Sequence, residues 1–183
     1  MKNLLVFESI SIDGYFVDAH GDINWAHDGS DDPEFAEWVS GNASGGGALL
    51  FGRKTYQMME AFWTTPIAAQ QMPAVAKGMN ERTKYVASRT IQPGWNNAHL
   101  LKKDLVQSVR ALKAGDGPGI AVLGSGSIAA QLDEAGLVDE YQFVIVPVAL
   151  GGGRTVFSQK RSLRLLDHRA YRCGKVVVTY ATA

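Results

Sequence analysis

The chain has a single cysteine, Cys173, in 183 residues. That excludes an internal disulfide and any multi-cysteine metal centre. It also lacks a charge excess of either sign, because Lys+Arg number 18 and Asp+Glu number 18. Without net charge there is no global pull toward nucleic acid or an anionic membrane, and neither partner is expected. Long apolar runs are missing as well. Phe143 to Leu150 is the longest, contains Pro147, and falls far below the ~18 residues a membrane helix needs. Near the start, Glu8 cuts short Leu4-Leu5-Val6-Phe7, so no signal-peptide core forms and a cytoplasmic location is expected. The four histidines (His20, His27, His99, His168) are scattered and no His-Glu-x-x-His exists, so no metal site is expected. No Gly-x-Ser-x-Gly elbow supports a serine hydrolase. No linker is long enough to separate one domain from another, and at ~150 residues per domain the chain reads as one domain, 1–183.

The apolar fraction is 46%, ordinary for a packed globular chain. Beta-rich runs recur at Leu4–Ile12, Ala48–Phe51, Tyr85–Ala87, Ile120–Leu123, Tyr141–Leu150 and Val176–Ala181. Most are continuous rather than alternating, as in strands buried on both faces. Helical segments lie between them. Asp32-Pro33-Glu34 supplies an N-cap, a first-turn proline and an acidic start, followed by the stripe Phe35, Trp38, Val39. Leu105, Val109 and Leu112 repeat at helical spacing before Gly115, and Ile128 and Leu132 do so before Gly136. After Tyr141 the helices stop, and Leu163–Cys173 and Lys175–Ala181 read as strands joined by a hairpin at Gly174. The predicted architecture is α/β: a mixed, mainly parallel sheet with an antiparallel C-terminal edge and helices on both faces.

Three strand ends suit an anion. Gly124-Ser125-Gly126-Ser127-Ile128-Ala129 follows a strand and opens a helix, so its amides and the helix dipole favour a phosphate. A Ser-capped helix after a tight turn explains the same residues. A Rossmann unit is disfavoured, because the next strand ends in Leu150-Gly151 without a ribose-binding acid. Gly52-Arg53-Lys54-Thr55-Tyr56 places two cations and a hydroxyl where a strand hands over to a helix, and Ser88-Arg89-Thr90 repeats the pattern. Gly47 to Thr55 almost spells a Walker A loop, but its interval is an apolar strand and Arg53 intervenes before Lys54.

In family order, these segments join Ser11-Ile12-Asp13-Gly14-Tyr15-Phe16 and Pro147-Val148-Ala149-Leu150-Gly151-Gly152-Gly153. The ordered set resembles the dihydrofolate-reductase-like superfamily, and within it the C-terminal reductase domain of riboflavin-biosynthesis RibD proteins. That resemblance implies a three-layer dihydrofolate-reductase-like fold and the cofactor NADPH. By it, Gly52, Arg53, Lys54 and Thr55 would hold phosphates, and Ser88 and Arg89 would lie near the adenosine 2′-phosphate. Gly124, Ser125, Gly126 and Ser127 would lie along the pyrophosphate and nicotinamide. Two strand-end arginines without a ribose-binding acid also suit a 2′-phosphate, hence NADPH over NADH.

On the substrate side, Asp13 is the candidate catalytic acid: a carboxyl partly buried beside a hydride acceptor has its pKa raised and donates a proton. An Asx turn with Gly14 is its other reading. Trp25 resembles the tryptophan ending the loop over the active site of dihydrofolate reductases, and otherwise plugs a core edge. Gly151 and Gly152 form a substrate-side loop by resemblance, or a plain turn. Phe62-Trp63 walls the pocket or forms a core pair. Asp31, Asp32 and Glu34 lie where dihydrofolate reductases carry a pterin-binding carboxylate, although Asp32 also serves as an N-cap. No His-x-Glu with Pro-Cys-x-x-Cys is present, so a stand-alone relative without a zinc deaminase module is expected. The expected activity is NADPH-dependent hydride transfer to a C=N or C=O carbon of a small pyrimidine- or pterin-like heterocycle. The named reaction it resembles is reduction of 5-amino-6-(5-phosphoribosylamino)uracil. The alternatives are dihydrofolate reduction and a non-catalytic nucleotide-binding dimer. A homodimer is expected, because Val176-Val177-Val178 leaves an apolar edge or face to cover.

Overall fold

The computed structural model describes residues 1–27 and 31–183. In chain order the elements are β1 (Leu4–Ser11), β2 (Tyr15–Val17), a 3₁₀ turn (Asn24–His27), α1 (Pro33–Ser44), β3 (Ala48–Gly52) and α2 (Arg53–Trp63). Next come α3 (Pro66–Gln71), α4 (Pro73–Glu81), β4 (Lys84–Ala87), β5 (Ala98–Leu100), α5 (Leu105–Ala114), β6 (Ile120–Leu123) and α6 (Gly126–Glu134). The chain closes with β7 (Glu140–Val146), β8 (Arg154–Thr155), β9 (Leu163–Ala170) and β10 (Val176–Thr182). Eight strands form one sheet in the order β5-β4-β3-β6-β1-β7-β10-β9. Its body from β5 to β7 is parallel, and β10 and β9 are antiparallel. This is the mixed sheet the sequence predicts. β2 and β8 form a separate two-stranded ribbon.

The sheet is covered on both faces, and β3 shows how. Leu49 and Phe51 pack with Tyr56, Val75 and Met79 of α2 and α4, whereas Ala48 and Leu50 pack with Val109, Ile128 and Leu132 of α5 and α6. Leu4, Val6, Leu49, Leu50, Phe51 and Val86 are completely buried. Each such side chain contributes roughly 1.5–3 kcal/mol relative to exposure. The expected helix start at Asp32 is present: its carboxylate accepts from Glu34 N and Phe35 N, and Pro33 opens α1.

Two expectations need correction. The strand expected over Tyr141–Leu150 ends at Val146, where Pro147 has no N–H to donate and the Leu150 and Gly151 amides turn to the Asp13 carboxylate. The apolar residues expected to need a second copy are covered within the chain, since Val177 and Val178 are buried on opposite faces of β10. The large exposed apolar residues of this edge are Leu165 and Leu166 on β9.

The site is prepared by strand length. β6 stops at Leu123, opposite Phe7, while β1 continues beside β7 as far as Ser11. The sheet therefore opens between β1 and β6 beyond that level, at the carboxyl ends of the parallel strands. Open α/β sheets bind ligands at such a place.

Candidate functional site

The ends of β4, β3 and β6 are neighbours in the sheet, so the three anion-suited segments lie in a row. α2 and α6 start at adjacent ends and are tied together there. Gly52 N donates to Ser125 Oγ at 2.9 Å, and Thr55 Oγ1 donates to the Gly124 carbonyl at 2.8 Å. Ser125 Oγ donates in turn to Leu123 O at 3.1 Å. Neither helix has a side-chain cap, whereas α1, α3 and α5 are capped by Asp32, Thr65 and Asp104. Two helix starts without a capping side chain, side by side, concentrate amide dipoles on one patch of surface. Arg53 and Lys54 lie exposed in the first turn of α2, Arg89 lies exposed after β4, and none of the three has an ion pair among the described residues.

The hydroxyls expected to meet phosphate have a different task. Those of Thr55 and Ser125 are spent on the cross-tie, so these residues set the shape of the patch from beneath. Ser88 Oγ accepts from Thr90 N at 3.2 Å, closing its own turn. Ser127 is exposed on α6. Gly126 was expected to let a pyrophosphate approach; in the structure the Phe16 ring uses that space, and a Cβ on Gly126 would stand 2.0 Å from Phe16 Cζ. The Arg154 guanidinium covers Phe16 in turn, 5.2 Å from the ring centroid.

Asp13 is corrected outright. It is exposed and accepts from Ser11 Oγ at 2.6 Å, Gly151 N at 2.8 Å and Leu150 N at 3.1 Å. The Ser11 hydroxyl, helped by the two amides, holds its carboxyl down at about 2 rather than raising it. An acid that is ionised throughout the physiological range donates no proton; Asp13 clamps the loop bearing Gly151 and Gly152 onto the end of β1. Trp25 is half-buried at the margin of the Phe35–Tyr171 cluster, with Nε1 donating to Asp22 O at 3.1 Å. Asp32 also has no oxygen to spare: besides capping α1 it accepts from Cys173 N at 3.0 Å, the bond that contributes most to keeping its carboxyl below the usual value. Phe62 and Trp63 meet edge to face at 4.9 Å, with Phe62 exposed and Trp63 at the edge of the α2–α4 core.

One buried carboxyl beside these helix starts was not among the candidates read from the sequence. Glu8, on β1, is 6% exposed, and burial pushes its carboxyl from 4.5 up to about 8, with Arg154 opposing the shift. A Cβ on Gly124 would stand 4.0 Å from Glu8 Oε1 and 3.5 Å from the Thr55 methyl, which places the carboxyl under the α2–α6 junction. The signal was present in the sequence: Glu8 is the one charged residue in β1, directly after the apolar run Leu4-Leu5-Val6-Phe7.

Among the described residues no cluster of His, Cys, Asp and Glu could hold a metal ion, and no helix is long and apolar enough to cross a membrane. A cavity of about 610 Å³ opens at the opposite end of the sheet, lined by Lys2, Lys77, Arg82 and Tyr85 among others. It lies at the amino ends of the strands, away from the tied helix starts. The donor set at the carboxyl ends, backbone amides beside Arg and Lys side chains that make no ion pair among the described residues, fits the phosphates of a dinucleotide.

Comparison with known proteins agrees with this architecture. The RibD C-terminal domain family matches residues 2–179. The uncharacterized protein YyaP of Bacillus subtilis is 26% identical over 98% of this chain and 94% of its own length. A crystal structure of a putative riboflavin biosynthesis protein from Shewanella sp. PV-4 superposes with TM-score 0.70 at 22% identity, covering 99% of both chains. A pyrimidine reductase-like protein of Corynebacterium diphtheriae gives 0.60 at 13% identity, over 100% of this chain and 92% of that one. Dihydrofolate reductase of Enterococcus faecalis, solved with NADP(H), gives 0.63 at 14% identity, over 98% and 96%.

Proposed function

Since the chain belongs to the RibD C-terminal domain family and has a pyrimidine reductase-like fold, we propose that it is an NADPH-dependent reductase. It delivers hydride to a C=N or C=O carbon of a flat pyrimidine- or pterin-like heterocycle, as in reduction of 5-amino-6-(5-phosphoribosylamino)uracil. The observation that carries this reading is the cross-tie of two helix starts without side-chain caps, Gly52 N to Ser125 Oγ and Thr55 Oγ1 to Gly124 O, flanked by cations without an ion pair among the described residues. On this reading Arg53 and Lys54 meet the pyrophosphate, and Ser88 and Arg89 meet the adenosine 2′-phosphate. The loop that Asp13 holds, with Gly151 and Gly152, borders the heterocycle. The cofactor supplies the hydride when bound; the chain positions it and excludes water.

Cofactor fluorescence tests the reading. NADPH binds the wild type, and Arg89→Ala weakens NADPH by about tenfold or more, the scale of one lost charge-assisted contact, while leaving NADH unchanged. No binding at millimolar NADPH would remove the reductase reading and leave a structural role. Equal losses for the two cofactors would remove Arg89 from the 2′-phosphate. Dihydrofolate is the weaker substrate candidate, because both Asp32 oxygens already serve backbone amides; a large thermal shift with methotrexate would restore it. A second copy of the chain is proposed to pair along β9, whose Leu165 and Leu166 are exposed at the sheet edge. A monomer in size-exclusion chromatography at micromolar concentration would refute that pairing.

A further inference from the structure

Glu8 combines deep burial, the lack of a hydrogen-bond or ion-pair partner among the described residues, and a place at the opening of the sheet. The last residue of β1 paired with β6 is Phe7, and Glu8 is the next, so on the β6 side its neighbour is the turn at Gly124 rather than another strand. On its other side it is in register with Phe143 of β7, and Val6 and Phe143 belong to the apolar core of that face. Among the described residues none donates a hydrogen bond to its carboxyl, and no cation of theirs lies within ion-pair distance. Arg154 is the charged group acting on it, and that guanidinium is exposed over the Phe16 ring. A carboxyl that serves only packing would be a costly choice here, since an apolar side chain would fill the same volume without the desolvation penalty.

We propose that Glu8 is the proton donor of the reduction, reaching the acceptor through the gap between β1 and β6 beside Gly124. The inference rests on the reductase reading above. The bookkeeping is that of a two-electron reduction. The dinucleotide gives a hydride to the acceptor carbon and is oxidised, and the C=N or C=O bond becomes a single bond. The Glu8 O–H bond breaks as its proton passes to the acceptor nitrogen or oxygen, and the resulting carboxylate regains a proton from water. The role requires an acid that still holds its proton at neutral pH. Burial gives Glu8 that property, with a carboxyl that titrates at about 8. Asp13, ionised by its hydrogen bonds, lacks it.

Carbon-13 NMR of the glutamate carboxyls, with Glu8 assigned by the resonance missing in Glu8→Gln, provides the test. In the protein without cofactor Glu8 titrates near 8; a resonance in the ordinary carboxylate range overturns the proposal. Arg154→Met moves the titration upward. With saturating NADP⁺, whose nicotinamide ring is cationic, the Glu8 pKa lies at least a unit below its value with NADPH, whose ring is neutral. Identical values with both bound cofactors place the carboxyl away from the ring and overturn the proposal while leaving the reductase reading intact. Failure of millimolar NADPH to bind at all removes both. With 5-amino-6-(5-phosphoribosylamino)uracil as acceptor, wild-type kcat falls as pH rises through the Glu8 titration. Glu8→Gln loses about 10²–10⁴-fold in kcat, loses that alkaline limb, and keeps the wild-type NADPH affinity. Retention of wild-type kcat and its alkaline limb by Glu8→Gln would overturn the assignment.

Discussion

The contact between Phe16 and Gly126 makes the sign of one small substitution diagnostic. Replacing a glycine by alanine at a position with helical backbone angles ordinarily stabilises by about 0.4–1 kcal/mol, because glycine loses more backbone freedom on folding. At Gly126 the added methyl would lie 2.0 Å from Phe16 Cζ and 2.6 and 2.7 Å from the two Cε atoms. Carbon atoms pack at about 3.5–4.0 Å, so the ring must retreat by roughly 1.5 Å from a buried position. Overpacking of this kind costs about 1–3 kcal/mol. Gly126→Ala is therefore expected to destabilise by about 1–2 kcal/mol net, against the helix preference.

The partner substitution separates this clash from other causes. Phe16→Ala alone costs about 3–5 kcal/mol, as for other buried phenylalanines. In that background the Gly126 methyl enters the vacated space and the helix preference returns, so adding Gly126→Ala should stabilise by up to about 1 kcal/mol. The coupling between the two sites is then about 1–3 kcal/mol, measurable from urea denaturation of the four proteins with m unchanged. If Gly126→Ala stabilises the wild type, or costs the same in both backgrounds, the β2–β8 ribbon does not press on the start of α6 as described.

Three further outcomes follow from the same geometry. Thr55→Val keeps side-chain shape but leaves the Gly124 carbonyl without its 2.8 Å partner. It should cost about 1–2 kcal/mol in thermal unfolding and weaken NADPH binding by disturbing the α2–α6 junction. Asp13 has a folded pKa near 2, below its unfolded 3.8, so its contribution is present above 3.8 and lost as pH falls toward 2. Asp13→Asn should accordingly flatten the acid limb of the urea midpoint over that window, and an unchanged limb would contradict the clamp. Glu8 has the opposite sign: its folded value near 8 exceeds the unfolded 4.5, so stability is full below 4.5 and declines as pH rises to 8. At ~1.4 kcal/mol per unit, the whole decline is on the order of 5 kcal/mol, and Glu8→Gln should remove it and exceed the wild type in stability above pH 8.

The main strands were legible because burial on both faces leaves a continuous apolar run, as in Ala48–Phe51 and Ile120–Leu123. The starts of α1 and α5 carry side-chain caps or clear stripes. β2 and β8 have three and two residues, too few for any period to register, and they exist because the Asp13 clamp and the ribbon pairing hold them. α3 and α4 begin at Pro66 and Pro73, but Ala68-Ala69-Gln70-Gln71 offers no stripe to extend the signal. Within the site, the strand-end cations Arg53, Lys54 and Arg89 could be read locally, because a strand-to-helix handover is a local pattern. The use of the Thr55 and Ser125 hydroxyls could not, since each bond joins residues about seventy positions apart.

The acid was misread for a related reason. Asp13 and Glu8 sit on the same strand and its turn, and a local pattern favours the one at the strand end. The Asp13 environment comes from Leu150 and Gly151, amides freed when Pro147 ends β7, and they stabilise the charged form. The Glu8 environment comes from β7 alongside it and from the turn at Gly124, where β6 stops, and these disfavour the charged form without supplying a donor. Topology thus drives two carboxyls five positions apart in opposite directions, to about 2 and about 8. Such divergence is how one site assigns a permanent anion and a proton donor to separate residues at neutral pH. Here the permanent anion holds a loop, and the protonated acid lies beneath the opening where two helix starts converge.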